Sequence, residues 1–351
     1  MDISPYLKLM IEKEASDLYF TPGTSPKMKI DGQMASVGSD SLSQEQVEGA
    51  VLGIMDADQI AFFKQNREID FAISQGEAGR FRINAFYQKG SPAMVLRYIR
   101  SQVPSIDSLK VPEVLKELIL LKRGLLLMVG GTGSGKSTTL AAMIDHRNSQ
   151  MGGHILTIED PVEFFHSHKK SLINQRELGP DTHSYANALK SSLREAPDVI
   201  LIGEIRNRET MEAALELAGT GHLCISTLHA NNANQALTRI INMFPQASHQ
   251  QLFMDLSLYL RAILSQRLVR SQDGKRRAAV EVMINTPHIA EKILQGSVDE
   301  VKEAIAASSE KGVQSFDAAL LALYQEEAIT LDEALNSADS RANLEAKIHF
   351  G

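Results

Sequence analysis

Gly130-Gly131-Thr132-Gly133-Ser134-Gly135-Lys136-Ser137-Thr138 is the stretch on which the reading of this chain turns. An apolar run, Leu125-Leu126-Leu127-Met128-Val129, leads into it. A run compatible with a helix, Thr138-Thr139-Leu140-Ala141-Ala142-Met143, leads out. The spacing is G-x-x-x-x-G-K-S between a strand and a helix, the context in which the pattern reads as a P-loop. Glycines let backbone N–H groups turn inward around phosphate oxygens. The helix N-terminus adds partial positive charge at the same place. In that geometry Lys136 reaches the β- and γ-phosphates and the Ser137 hydroxyl holds Mg2+. The alternative is a glycine-rich connection that binds nothing. The full eight-residue pattern in this context favours a nucleoside triphosphate.

Phosphate chemistry needs carboxylates nearby, and two strand ends offer them. Val199-Ile200-Leu201-Ile202-Gly203-Glu204 is an apolar strand ending in an acid, which suits a Walker B element with Glu204 acting on Mg2+ or its water shell. Ile158-Glu159-Asp160-Pro161-Val162-Glu163 supplies three acids just past the strand 155–158. Acids at the C-terminal edge of parallel strands face the crevice that also receives the P-loop. One of them would orient the attacking water. Thr220-Gly221-His222-Leu223-Cys224-Ile225-Ser226-Thr227-Leu228-His229 brackets a third strand with two histidines, of which His229 follows the strand end and is placed to meet the γ-phosphate. His146, His154, His166 and His168 have no metal-type context and read as surface residues.

From Gly124 onward short apolar strands alternate with helices, as in a parallel sheet covered on both faces. The tail after about residue 298 is helical. Before residue 100 the pattern differs. Asp17-Leu18-Tyr19-Phe20, Met28-Lys29-Ile30, Ile69-Asp70-Phe71-Ala72-Ile73 and Phe81-Arg82-Ile83-Asn84-Ala85-Phe86 read as strands. Turns are expected at Asp31-Gly32 and at Gln75-Gly76-Glu77-Ala78-Gly79. Ser43 caps a helix with Val47, Ala50, Val51 and Ile54 on one face. These pieces make a small α+β domain over 1–100, a linker over 101–111, and a second domain over 112–351. Arg82 and Arg97 lie in strands of the first domain, either as solvated faces or as arginines supplied to a neighbouring subunit.

At 351 residues two domains are expected, and 43% hydrophobic with 23% charged residues is ordinary for a globular protein. No apolar run approaches the ~20 residues of a membrane span. Met1-Asp2-Ile3-Ser4-Pro5 does not begin a secretory signal, so a cytoplasmic location is expected. The single cysteine, Cys224, leaves no intrachain disulfide and no cysteine-pair zinc module. A net charge of −7 argues against nucleic acid as the main partner.

Together these residues resemble the secretion-type ATPases of type IV pili and type II secretion, within the RecA-like P-loop group. Leu193-Arg194-Glu195-Ala196-Pro197-Asp198-Val199-Ile200-Leu201-Ile202-Gly203-Glu204-Ile205-Arg206 is similar to the family's signature segment and departs from it at Asn207, where an aspartate is usual. Ile158-Glu159-Asp160-Pro161-Val162-Glu163-Phe164 is similar to its Asp box, and the segment 220–229 to its His box. Arg80-Phe81-Arg82-Ile83-Asn84-Ala85-Phe86 resembles the arginine-bearing strand of its N-terminal domain. The resemblance implies an α/β chain, a PAS-like N-terminal domain followed by a RecA-like ATPase domain with a helical tail. It implies a homo-hexameric ring with ATP between the two domains, Glu163 as base, Glu204 as Walker B acid, Arg82 and Arg97 acting in trans, and His222 and His229 at the nucleotide.

The lack of a four-cysteine module and a start almost directly in the first domain point to the retraction branch, the PilT/PilU group. Thr286-Pro287 is followed by His288-Ile289-Ala290-Glu291-Lys292-Ile293-Leu294-Gln295-Gly296, which departs from the pattern of the group's main enzyme and is similar to its paralogue. The partners so implied are the inner-membrane pilus platform protein and a PilT ring. Three other readings stay open: a regulatory partner whose own hydrolysis is secondary, a type II secretion ATPase, and a nucleic-acid translocase, which the charge disfavours.

Overall fold

Short alternating runs in the first hundred residues form one antiparallel sheet. Its strands are β1 (Asp17–Phe20), β2 (Lys27–Ile30), β3 (Gln33–Ser36), β4 (Glu68–Ser74), β5 (Arg80–Gln88) and β6 (Ser91–Ile99), in the spatial order β3-β2-β1-β6-β5-β4. The computed structural model describes residues 1–30, 32–74, 79–99 and 103–350. Asp31 of the first expected turn, residues 75–78 of the second, and Ser101 and Gln102 of the expected linker lie outside the described residues. One sheet face is apolar: Leu18, Phe20, Phe81, Ile83 and Leu96 are buried with Val47, Ala50 and Val51 of the helix Gln44–Leu52. Ser43 starts that helix through a capping box with Gln46, which satisfies two backbone donors that the first turn leaves unpaired. Each fully buried aliphatic or phenyl side chain here contributes about 1.5–3 kcal/mol of transfer free energy.

The chain divides into two compact units, Met1–Gln102 and Val103–Gly351. The second is built on a seven-stranded sheet of β7 (Gly124–Val129), β8 (Gly153–Glu159), β9 (Ser171–Glu177), β10 (Val199–Ile202), β11 (Leu223–Leu228), β12 (Leu260–Arg270) and β13 (Arg276–Ile284). The order is β13-β12-β7-β11-β10-β8-β9. All neighbours run parallel except β12 and β13. Every residue of β7 and β10 is buried, as strands covered on both faces require. Leu125, Leu127 and Val129 point to one core, with the helices Arg208–Gly219 and Ala233–Asn242. Leu126 and Met128 point to the other, with the helix Lys136–Gln150.

Two features depart from the sequence reading. Strands β9, β12 and β13 carry no clear strand signal in the sequence, because they lie toward the sheet edges and mix polar with apolar residues. The expected linker is structured from residue 105: Ser105 Oγ accepts from Ser108 N at 3.0 Å, and the helix Ile106–Leu109 buries Ile106 in the core of the second unit. The C-terminal helices pack on the β12–β13 hairpin, where Phe316, Leu320, Ala334 and Leu344 meet Val269 and Ala279.

Candidate active site

The C-terminal ends of β7, β8, β10 and β11 open on one side of the sheet, and their connections line a cleft of about 220 Å3. The loop after β7 contributes Thr132, Gly133, Lys136 and Ser137; the β8 end contributes Glu159, Asp160 and Glu163. The β10 end contributes Glu204 and Arg206, and β11 contributes Thr227 and His229. A larger groove of about 680 Å3 between the helices Arg208–Gly219 and His249–Tyr259 has no phosphate cradle.

The loop is held from below by β12. Gln266, almost fully buried, donates from Nε2 to Ser134 O at 2.8 Å and accepts at Oε1 from Thr139 Oγ1 at 2.8 Å. One amide side chain thus ties the loop to the first turn of its helix. The approach is close: a Cβ on Gly130 would fall 2.6 Å from Gln266 O and 2.4 Å from Ser134 Oγ. Gly135 has φ +85°, in the left-handed region that favours glycine. Lys136 Nζ donates to Gly130 O and Gly131 O, both at 2.8 Å. Burial pulls its ammonium below the usual lysine range, against the opposing pull of Glu204 and Glu163.

Glu204 is held between Arg206 and His229. Arg206 Nε donates to its Oε2 at 2.5 Å, and His229 Nε2 stands 3.1 Å from its Oε1. Arg206 also reaches Asp160, with Nη1 3.5 Å from Oδ2. Glu159 is different in kind. Burial raises its carboxyl to about 7, although Thr157 Oγ1 donates to it at 2.7 Å and Gln175 Nε2 at 3.4 Å. Of the three acids at the end of β8, Asp160 and Glu163 are exposed and both line the cleft. The Tyr185 hydroxyl is pushed up from its ordinary value by burial, beside the Asp160 charge.

These groups suit a nucleoside triphosphate. The loop presents a lysine, a hydroxyl at Ser137 and a helix N-terminus to one point. Ser134 Oγ is buried without a hydrogen-bond partner. Ser137, Glu163 and Glu204 are hard oxygen donors. Among the described residues no cluster of three or more His, Cys, Asp or Glu forms a metal cage. Hard oxygen ligands suit an ion such as Mg2+, which takes few protein ligands and keeps phosphates and water for the rest.

The other candidates separate. His222 precedes β11 at the opposite sheet edge, where its backbone O accepts from Gly124 N. Its Nδ1 lies 3.2 Å from both Leu217 O and Thr220 Oγ1. The length of β7, about 16 Å at ~3.3 Å per residue, separates it from the P-loop. The structure therefore does not bring His222 into this cleft: its strand carries it away, because six residues intervene before His229. His166, read as a surface residue, is also corrected: burial lowers its imidazole to about 4 beside Asp145 and Lys169. His154 is tied by its ring nitrogens to Glu195 O and Asn174 Oδ1. In the N-terminal unit Arg82 and Arg97 are directly opposed across β5 and β6, so they share one sheet face. Arg97 Nε donates to the buried Asp17 at 2.8 Å, and Arg82 lies 3.7 Å from Asp70.

Asn207, the departure from the usual aspartate, caps the helix Arg208–Gly219 by accepting from Thr210 N at 3.0 Å, which either residue can do. Sequence reasoning missed Gln266, whose signal was a polar Ser265-Gln266-Arg267 in an apolar strand. It also missed Tyr185, for which the sequence carries no local sign.

A family model described as type II/IV secretion system protein matches residues 1–325. The chain is 51% identical over 352 residues to the type IV pilus ATPase PilU of Pseudomonas aeruginosa, covering 100% of this chain and 92% of that one. It is 40% identical over 338 residues to the retraction ATPase PilT of the same organism, covering 96% and 98%. A crystal structure of the pilus retraction motor PilT with bound ADP superimposes with a TM-score of 0.92 at 38% identity, covering 98% of this chain and 99% of that one.

Proposed function

The chain belongs to the family of type II/IV secretion system proteins, and we propose from that membership that it is an ATPase motor of type IV pilus retraction, working in the cytoplasm as a homo-hexameric ring at the inner-membrane pilus base. One observation carries the chemical half of the reading: Lys136, Ser137, Glu163, Glu204 and His229 line the same cleft. The relatives carry the biological half. Identity to PilU, 51%, exceeds identity to PilT, 40%, so the reading is of a PilU-type protein that works with a PilT ring and the platform protein.

In this reading the N-terminal unit is PAS-like and the C-terminal unit is a RecA-like ATPase domain with a helical tail. Lys136 and the loop N–H groups bind and orient the phosphates of ATP. Mg2+, held by Ser137 and by Glu204 through its water shell, would neutralise phosphate charge when bound. Glu163 is the base that orients the attacking water, and Glu204 is held in place by Arg206 and His229. Arg82 and Arg97, on one face of the N-terminal sheet, serve a neighbouring subunit's site. Among the described residues no helix is long and apolar enough to cross a membrane.

Labelled-pilus microscopy in cells lacking only this gene tests the proposal. Weakened retraction, restored by wild type and not by Lys136→Ala, is the expected result. Equal rescue by Lys136→Ala would make the chain a regulatory partner whose hydrolysis retraction does not need. Unaltered retraction would remove the pilus assignment.

A further inference from the structure

Strand β12 carries Ser265, Gln266 and Arg267 in succession, and strand alternation turns Gln266 to one face and its two neighbours to the other. On that second face the Arg267 guanidinium makes three hydrogen bonds. Nη1 donates to Ser337 O at 3.0 Å, and Nη2 donates to Asp339 Oδ1 at 2.6 Å and to Asn231 O at 3.3 Å. The ring of Phe316 lies 4.0 Å from the guanidinium carbon. Asn231 belongs to the connection His229-Ala230-Asn231-Asn232 between β11 and the helix Ala233–Asn242. One end of that connection is His229, against Glu204. The other end is fastened twice more. Asn232 Nδ2 donates to Asp339 Oδ2 at 3.4 Å, and Ala233 N donates to Glu281 Oε1 at 2.8 Å, where Ser265 Oγ also donates at 2.9 Å. Asp339 is itself set by Asp317, which accepts from Asp339 N at 2.8 Å.

We propose that Arg267 is a positioning residue for hydrolysis: it holds the His229 connection against Glu204 and ties that connection to the C-terminal helices. The inference rests on the ATPase reading above. A planar fork can serve several acceptors at fixed angles, which a lysine ammonium on a flexible stem does not do. Fastening the tail alone would need only Ser337 and Asp339. The bond to Asn231, and that of Asn232 to the same Asp339, lie on the segment that carries His229. The phosphate cradle hangs from Gln266 on the opposite face, so the two functions of the strand are separable.

The test is steady-state hydrolysis by the full chain in wild type, Arg267→Met, Arg267→Lys, Asp339→Asn, His229→Ala and the double variant His229→Ala/Arg267→Met. Arg267→Met is expected to lower kcat about 10- to 100-fold, as misplaced groups do. KM for ATP should stay within about twofold, because the cradle is untouched. The double variant should be no slower than the worse single variant, since both changes act through one contact. Wild-type kcat in folded Arg267→Met, or losses that multiply in the double variant, would overturn the proposal and leave Arg267 as a fastening of the tail. If circular dichroism shows Arg267→Met misfolded, Arg267→Lys and Asp339→Asn carry the same two outcomes. Lys136→Ala separates the failures. A rate equal to wild type there sinks the ATPase reading, whereas a Lys136-dependent rate insensitive to Arg267 sinks only this one.

Discussion

His229 Nε2 stands 3.1 Å from Glu204 Oε1, across the ends of the two neighbouring parallel strands β11 and β10. Twenty-five positions of chain separate the two residues, and the parallel register of Ile202 beside Ser226 brings them together. The contact means that the acid following β10 does not act alone. Its orientation is shared with the connection after β11 and with Arg206.

Glu204→Gln keeps the shape of the side chain and removes its charge. Hydrolysis is expected to fall by about 10²-fold or more, on the scale of losing one preorganised electrostatic contact, while ATP binding persists through Lys136 and the loop. Phosphate release measured beside equilibrium binding of a fluorescent ATP analogue checks both halves. Loss of binding with loss of turnover would place Glu204 in the cradle instead.

Gln266→Leu conserves volume but leaves Ser134 O and Thr139 Oγ1 buried without this partner. Each orphaned group costs about 1–3 kcal/mol. Urea unfolding should show that loss, and ATP affinity should weaken with it, because the same amide fixes the loop to its helix. Unchanged stability would mean that the loop finds its hydrogen bonds elsewhere.

Glu159 gives a pH dependence of definite sign. Burial raises its carboxyl to about 7 from an ordinary 4.5, so the folded state holds its proton where the unfolded chain has released it. Its favourable contribution is complete below about 4.5, declines as the pH rises, and is gone above about 7. Glu159→Gln removes the dependence. Relative to wild type the variant should therefore gain stability between pH 5 and pH 8, read by urea midpoints across that range. A constant difference across the range would show that Glu159 ionises normally.

Arg97→Ala tests the proposed action in trans. Turnover is expected to fall on the order of 10³-fold if the guanidinium stabilises transition-state charge in a neighbouring site. Titrating the variant into wild-type subunits should lower the rate per ring more than in proportion. Purely proportional dilution would return Arg97 to its contact with the buried Asp17.

Much of this was legible before any coordinates. The glycines, Lys136 and Ser137 fall in a pattern whose spacing is itself the mechanism, because a phosphate cradle is made by consecutive residues. The strands β7, β8, β10 and β11 announce themselves as apolar runs, since a strand covered on both faces has no polar side to interrupt it. The acids at their ends follow from chain direction alone.

Everything that depends on which strand lies beside which comes from long-range packing. The family resemblance puts His222 and His229 together at the nucleotide, yet the six-residue strand between them sends them to opposite ends of the sheet. Glu159, Asp160 and Glu163 are three acids at one strand end. Only packing buries the first against Thr157 and Gln175 and leaves the other two exposed on the cleft. Gln266 and Arg267 are adjacent in sequence. One braces the P-loop and the other the His229 connection, because alternation along β12 points neighbours to opposite faces and the sheet order sets that strand beside β7. The chemistry of the loop is local and follows from consecutive residues. The arrangement of groups around it was decided by long-range pairing of strands, which no local pattern encodes.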